Sequence, residues 1–283
     1  MSGRRLRRGE RMLAIAYRLF REPHTIFSLG TFTESLGAAK STISEDIAAL
    51  RRACETFELG RIETLAGASG GVRYAPRRTP AQVRALAEDL AERLRDPARI
   101  LPGGFLYTTD LLSLPGLVER LGDAFATFFE DRRPDVVLSM EVKGIPLALM
   151  TARAFNVPLV TIRRGERVTE GSSVTVNYVS GSSRTVQSMT LPLRAVPAGA
   201  RALFIDDFLR GGGTARGVYD LMRECRAEVV GVGVLIEATQ PREKLVDQYV
   251  SVLAFDGVDE AEGIVRIEPS RWALARPAEV ASR

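Results

Sequence analysis

The chain has 283 residues, 45% hydrophobic and 26% charged, with a formal net charge of +4, which fits about two globular domains and excludes a disordered or fibrous chain. Two cysteines (Cys54 and Cys225) and one histidine (His24) exclude a disulfide framework and leave Ser–His catalysis and His-based zinc sites hanging on a single residue. No run of about 18 apolar residues offers a membrane span, and the apolar stretch Met12–Tyr17 is too short for a signal peptide, so a reducing, cytoplasmic location is expected.

Charge is unevenly placed. Residues 1–80 hold 14 Arg/Lys against 8 Asp/Glu, whereas the remainder is slightly acidic. A basic first quarter is the footprint of a nucleic-acid-binding module or, alternatively, a charge-rich solvated surface. Only Lys40, Lys143 and Lys244 are lysines among the 39 basic residues.

Residues 7–22 carry Met12, Ile15, Ala16, Leu19 and Phe20 at helical spacing, and Pro23 ends that helix. Ser28 caps a second helix that Gly37 stops after Leu36. A third helix is expected with Ser41 or Thr42 as cap, Glu45 in its first turn and a buried stripe of Ile43, Ile47, Leu50, Cys54 and Phe57. Residues 61–65 then alternate like a half-buried strand, Gly67–Gly71 form a turn, and Val72-Arg73-Tyr74 begin a return strand. Three helices and a hairpin predict a winged helix–turn–helix over residues 1–75, whose third helix enters the DNA major groove. Lys40, Ser41, Thr42 and Ser44 are placed to meet bases or phosphate. Arg51 and Arg52 suit phosphate or solvent, and Arg73 on the wing suits phosphate or the minor groove. A helical protein-interaction domain is the competing reading.

Residues 76–283 form the second expected domain. Thr79-Pro80 opens a helix through Leu94. Apolar strands at 135–139, 158–162, 201–206 and 229–236, with helices at 144–156 and 214–226, predict an α/β fold with a parallel sheet and a ligand at its carboxyl edge. Residues 164–191 break the alternation. Two alternating segments, 174–179 and 185–189, flank Gly181-Ser182-Ser183 and read as a flexible hairpin over a site.

The strongest chemistry lies at Asp206-Asp207-Phe208-Leu209-Arg210-Gly211-Gly212-Gly213-Thr214. A buried strand ends in two carboxylates, a glycine loop follows, and a helix opens at Thr214. Backbone N–H groups of such a loop and the helix N-terminus cradle a phosphate, while the acids accept from ribose hydroxyls. The spacing fits neither a Walker loop nor a GxGxxG fingerprint. A structural glycine turn is the plainer alternative.

This segment resembles the signature of type I phosphoribosyltransferases for phosphoribosyl pyrophosphate (PRPP). Lys143-Gly144 match that family's pyrophosphate loop, Arg163-Arg164 a basic pair, and 166–191 its flexible loop. With the winged helix ahead of it, the chain is similar to the pur operon repressor family of Gram-positive bacteria. The matching stretches include Ala39–Asp46, Gly67–Tyr74, Pro102–Tyr107, Lys143–Ala148, Val168–Ser172 and Asn177–Ser183. The resemblance implies a homodimer that binds double-stranded operator DNA and represses purine-synthesis genes, with PRPP as an effector that lowers DNA affinity. It further implies Mg²⁺ as a companion of PRPP and a guanine alarmone as its competitor, with Tyr107 lining the base side of the pocket or, equally, serving as core. No metal site and no catalytic residue are expected: Arg210 stands where purine-type enzymes often place an Asp, and a cation cannot act as that base. The alternative is an active purine phosphoribosyltransferase with a fused DNA-binding domain.

Overall fold

The computed structural model describes residues 6–67, 70–165, 171–179 and 185–274. Two compact units emerge: the first takes in Met1–Arg78 and the second begins at Thr79.

The first unit runs α1 (Arg8–Arg21), α2 (Leu29–Leu36), α3 (Lys40–Thr56), β1 (Arg61–Leu65) and β2 (Gly71–Ala75). Ser28 caps α2 by accepting from the Thr31 N–H at 3.2 Å, and Gly37 ends it in the left-handed region. The start of α3 differs from the sequence expectation. Ala39 is the N-cap, and the Ile43 N–H already bonds its carbonyl at 3.0 Å, so Ser41 and Thr42 lie inside the first turn and cap nothing. Phe57 also departs from its expected burial. The chain leaves the helix there and Phe57 is 69% exposed, so the apolar stripe stops at Cys54.

Strands β1 and β2 pair antiparallel, and Phe27 adds a bridge to Val72. Ile15, Leu19, Phe27, Phe32, Ile43, Ile47, Leu50, Ile62 and Val72 make one core between the helices and the hairpin. Asp46 is buried in it at 1% exposure. It is held by Arg11 at 2.8 Å and Arg8 at 3.4 Å, which ties α1 to α3. Ala68 and Ser69 of the expected wing turn lie outside the described residues.

The second unit opens with α4 (Pro80–Leu94), capped by a reciprocal pair in which Thr79 accepts from the Gln82 N–H and Gln82 from the Thr79 N–H. There follow β3 (Ile100–Leu101), β4 (Phe105–Leu106), α5 (Thr109–Leu112), α6 (Pro115–Phe128), β5 (Val136–Met140), α7 (Ile145–Phe155), β6 (Leu159–Ile162), β7 (Ser173–Val179), β8 (Val186–Pro192), β9 (Arg201–Leu209), α8 (Gly213–Glu224), β10 (Glu228–Ala238), β11 (Val250–Asp259), β12 (Ile264–Pro269) and α9 (Arg271–Leu274). The central sheet has the order β12-β11-β10-β9-β5-β6.

Its first five strands from β6 inward form the expected parallel sheet, and β12 adds an antiparallel edge. A short return from β11 leaves no room for a crossover helix, which dictates the antiparallel edge. Both β11 and β12 went unread in the sequence.

The expected hairpin forms as β7–β8, with seven residue pairs from Ser173↔Pro192 to Val179↔Val186. These strands are not a free hood. Tyr178, Met189 and Leu191 join the main core of the unit. Gly217 of α8 sits so close beneath that a Cβ there would lie 2.6 Å from Met189 Cε and 2.9 Å from Tyr178 Cβ. Residues 166–170 and 180–184, including Gly181-Ser182-Ser183, lie outside the described residues. Among the described residues no helix is long and apolar enough to cross a membrane.

Candidate functional site

The carboxyl ends of β5, β9, β10 and β11 open on a cavity of about 610 Å³. That is where side chains and helix N-termini converge in an open parallel sheet. Asp206, Asp207, Arg210, Gly211, Gly212, Gly213 and Thr214 all line it, joined by Lys143 from the β5–α7 turn and Arg164 from beyond β6.

Gly212 takes φ +81 as the N-cap of α8, so the helix begins at Gly213 and Thr214 is its second residue rather than its cap. The first-turn N–H groups of α8 therefore face the cavity end with the positive pole of the helix.

Asp206 is 8% exposed, and its Oδ1 accepts from the Asp207 N–H at 2.9 Å. Burial, then the neighbouring Asp207 charge, pushes the Asp206 carboxyl well above the usual range. Asp207 is also raised by burial, and Lys143 pulls against that rise. Two acids this close, with Lys143 and Arg164 nearby, are placed to accept hydrogen bonds from the hydroxyls of a ligand.

Gly144 does not line the cavity but stands directly behind Asp206. A Cβ there would meet Asp206 Oδ1 at 2.5 Å and Ser139 Oγ at 2.7 Å. Glycine at this position is a requirement of close approach, not of backbone angle.

Two expected site residues are displaced. Arg163 exchanges backbone hydrogen bonds with Thr190 and turns its side chain toward Glu141 at 3.6 Å, outside the lining. Of the pair, only Arg164 lines the cavity, and Arg163 meets it through Glu141, a residue of the lining. Tyr107 is absent from the lining and 42% exposed. That exposure sets aside a core role for it.

Residues that the sequence did not assign to the site complete the wall. Glu141 accepts from the Arg164 N–H at 3.0 Å, and Tyr178 from β7 donates to Gln187 at 2.9 Å. Phe208 and Phe255 meet edge to face with ring centroids 6.1 Å apart, beside Asp256. The Gly103–Leu106 stretch also contributes. The alternation of β9 beyond Asp206 signals Phe208. Nothing local signals Phe255 or Asp256. Among the described residues no group of three His, Cys, Asp or Glu is placed to hold a metal ion.

In the first unit, Lys40, Ser41, Ser44 and Glu45 are exposed on the opening turns of α3, and Thr42 is half-buried. Arg52 is exposed further along. Arg51 and Arg73 differ from expectation. The Arg51 Nε donates to the Ile62 carbonyl at 3.0 Å and its guanidinium also bonds Thr64, pinning the helix to β1. Arg73 pairs with Glu63 at 2.7 Å across the strands, and Arg61 bonds the same carboxylate. Both arginines are engaged within the unit, and the first turns of α3 present Lys40 and the hydroxyls of Ser41 and Ser44.

Residues 7–76 match the N-terminal domain of the bacterial purine repressor, and residues 108–266 match the phosphoribosyl transferase domain. The purine biosynthesis transcriptional repressor PurR of Bacillus subtilis (strain 168) is 40% identical over 264 residues, 93% of each chain. The purine biosynthesis transcriptional activator PurR of Lactococcus lactis subsp. lactis (strain IL1403) is 36% identical over 263 residues, 93% of this chain and 97% of the relative. Adenine phosphoribosyltransferase from Thermoanaerobacter pseudethanolicus superposes with a TM-score of 0.51 at 20% identity, over 59% of this chain and 99% of that structure, a likeness of fold alone. The winged helix and the strand-end acid pair thus stand in one known arrangement, and the chain belongs to the family of purine-biosynthesis transcriptional regulators that join a purine-repressor N-terminal domain to a phosphoribosyl transferase domain.

Proposed function

We propose that this protein is a DNA-binding transcriptional repressor of purine-biosynthesis genes whose second unit senses PRPP, and that PRPP lowers its affinity for operator DNA. One observation carries the reading. A single chain joins a winged helix with Lys40, Ser41 and Ser44 exposed on its third helix to a cavity where Asp206, Asp207, a glycine loop and a helix N-terminus meet Lys143, Arg164 and Arg210. The loop and the cations suit the two phosphate ends of PRPP, and the acids suit its ribose hydroxyls.

Mg²⁺ accompanies the pyrophosphate, and a guanine alarmone competes for the same anion cradle. The protein acts in the cytoplasm as a homodimer, because helix–turn–helix readers pair two-fold symmetry with operator half-sites. Relatives carry both repressor and activator names.

PRPP can shift the DNA equilibrium only through a difference in affinity for the free and DNA-bound states, and operator DNA then weakens PRPP binding by the same factor. A DNA-shift titration with and without PRPP tests this directly. Asp207→Ala is expected to keep operator binding and lose the PRPP response. Release of DNA by that variant at the wild-type PRPP concentration would place the effector elsewhere.

A second reading, an active phosphoribosyltransferase, draws on Asp256, a carboxylate lining the same cavity and bonded by the Thr239 hydroxyl. Incubation with PRPP, Mg²⁺ and each nucleobase separates the two. Nucleotide formation on the order of 1 per second, abolished by Asp256→Asn, would favour the enzyme.

A further inference from the structure

Lys244 stands outside the cavity lining, 34 residues beyond Arg210 in sequence, yet its ammonium donates to the Arg210 carbonyl at 2.6 Å. It also donates to the carbonyls of Ala238, at the end of β10, and Pro241, each at 2.6 Å. An ammonium has three protons, and all three are engaged by backbone. Next to it, the Leu245 N–H bonds the Gly211 carbonyl at 2.9 Å, and Gly212 rests against Leu245 and Val246 so closely that a Cβ would lie 3.2 Å from each.

The peptide unit turns this into a statement about the site. In a trans peptide the C=O and N–H point in opposite directions. Fixing the Arg210 carbonyl on Lys244 aims the Gly211 N–H away from Lys244. Fixing the Gly211 carbonyl on Leu245 does the same for the Gly212 N–H. Neither N–H donates to another described residue, and both glycines line the cavity.

We infer that Lys244 is a positioning residue for the effector: its three-carbonyl clamp orients the glycine-loop N–H groups toward the ligand phosphate before the ligand arrives. The inference rests on the PRPP reading above. A compact three-donor head is what the clamp requires, and a planar guanidinium cannot converge on three carbonyls, so arginine does not substitute. In a chain with 36 Arg and 3 Lys, a lysine at this point is consistent with that demand. Preorganised donors bind an anion without the cost of ordering the loop at the moment of binding.

The test uses the full-length protein, with PRPP affinity measured by calorimetry and operator affinity measured without PRPP. Lys244→Met and Lys244→Arg are each expected to weaken PRPP binding on the order of tenfold or more, the scale of one misaligned charge-assisted hydrogen bond, while operator affinity stays unchanged. Lys244→Arg keeps bulk and charge, so it serves where the methionine variant fails to fold. Lys244→Ala is expected to regain PRPP affinity with ammonium chloride in sodium buffer, but not with tetramethylammonium chloride at equal ionic strength, because the latter has charge and no N–H donor. A purely structural role would lower thermal stability without this selective rescue. Variants that bind PRPP within about twofold of the wild type, or equal rescue by both salts, would overturn the inference alone. Wild-type protein that ignores PRPP would overturn the effector reading and the inference with it.

Discussion

Gly144→Ala puts one methyl group into the tightest point of the effector site. The added carbon would start 2.5 Å from Asp206 Oδ1, 2.7 Å from Ser139 Oγ and 3.0 Å from Asp206 Cα. Relief by a flexible side chain is not available. Asp206 lies on β9, paired to β10 on one side, with β5 on the other, and Ser139 is fully buried on β5. The strand or the β5–α7 turn must shift by several tenths of an ångström, and overpacking of this kind costs about 1–3 kcal/mol. For a unit of about 200 residues, that lowers Tm by roughly 3–9 °C.

The functional consequence is sharper than the loss of stability, because the displaced atom belongs to the acid proposed to hold ribose. Wild-type protein in PRPP at about 100 times Kd gains roughly 2.7 kcal/mol of stability. The variant is expected to lose most of that ligand-induced rise in Tm while its operator affinity without PRPP stays unchanged. Differential scanning calorimetry with and without PRPP reads both quantities, and a DNA shift reads the third. A variant with wild-type Tm and a full PRPP-induced rise would show that Asp206 is neither crowded by Gly144 nor part of the ligand site.

The first unit offers three further tests. Asp46→Ala strips the buried carboxylate from Arg11 and Arg8 and is expected to destabilise the unit by about 3–5 kcal/mol; urea unfolding with the midpoint unmoved would refute the pair's structural role. Lys40→Ala is expected to weaken operator binding and to lower the slope of log affinity against log salt by about 1, whereas an unchanged slope would remove Lys40 from the phosphate contacts. His24 is held below its usual pKa first by burial and then by the Arg73 charge. The unfolded chain therefore binds the proton more tightly, so the stability His24 contributes is present above about pH 6.5 and lost as pH falls through the lower folded-state value. Asn tolerates the φ of +58 at this position, so His24→Asn is expected to flatten the loss of Tm between neutral and mildly acid pH; an unaltered pH profile would count against the assignment.

Local features were legible from the sequence because their physics is local. Ser28, Gly37 and Thr79 act within one helical turn of themselves, and the caps and stops they imply are present. The Asp206–Thr214 segment was readable for the same reason: strand, acids, glycine loop and helix follow one another without a break, so the chain itself brings them together.

What the tertiary structure decided is where a side chain turns when two partners compete for it. Arg51 and Arg73 resembled phosphate contacts until β1 and Glu63 came within reach. Arg163 and Arg164 were equivalent in sequence, and with Arg163 bridged to Thr190 and paired with Glu141, only Arg164 lines the cavity. Lys244 and Asp256 come to the glycine loop and the cavity only because β10 lies beside β9 and β11 beside β10. Periodicity reports which face of an element is apolar, but a hydrogen bond between residues tens of positions apart depends on the register of strands that meet only after the sheet has formed.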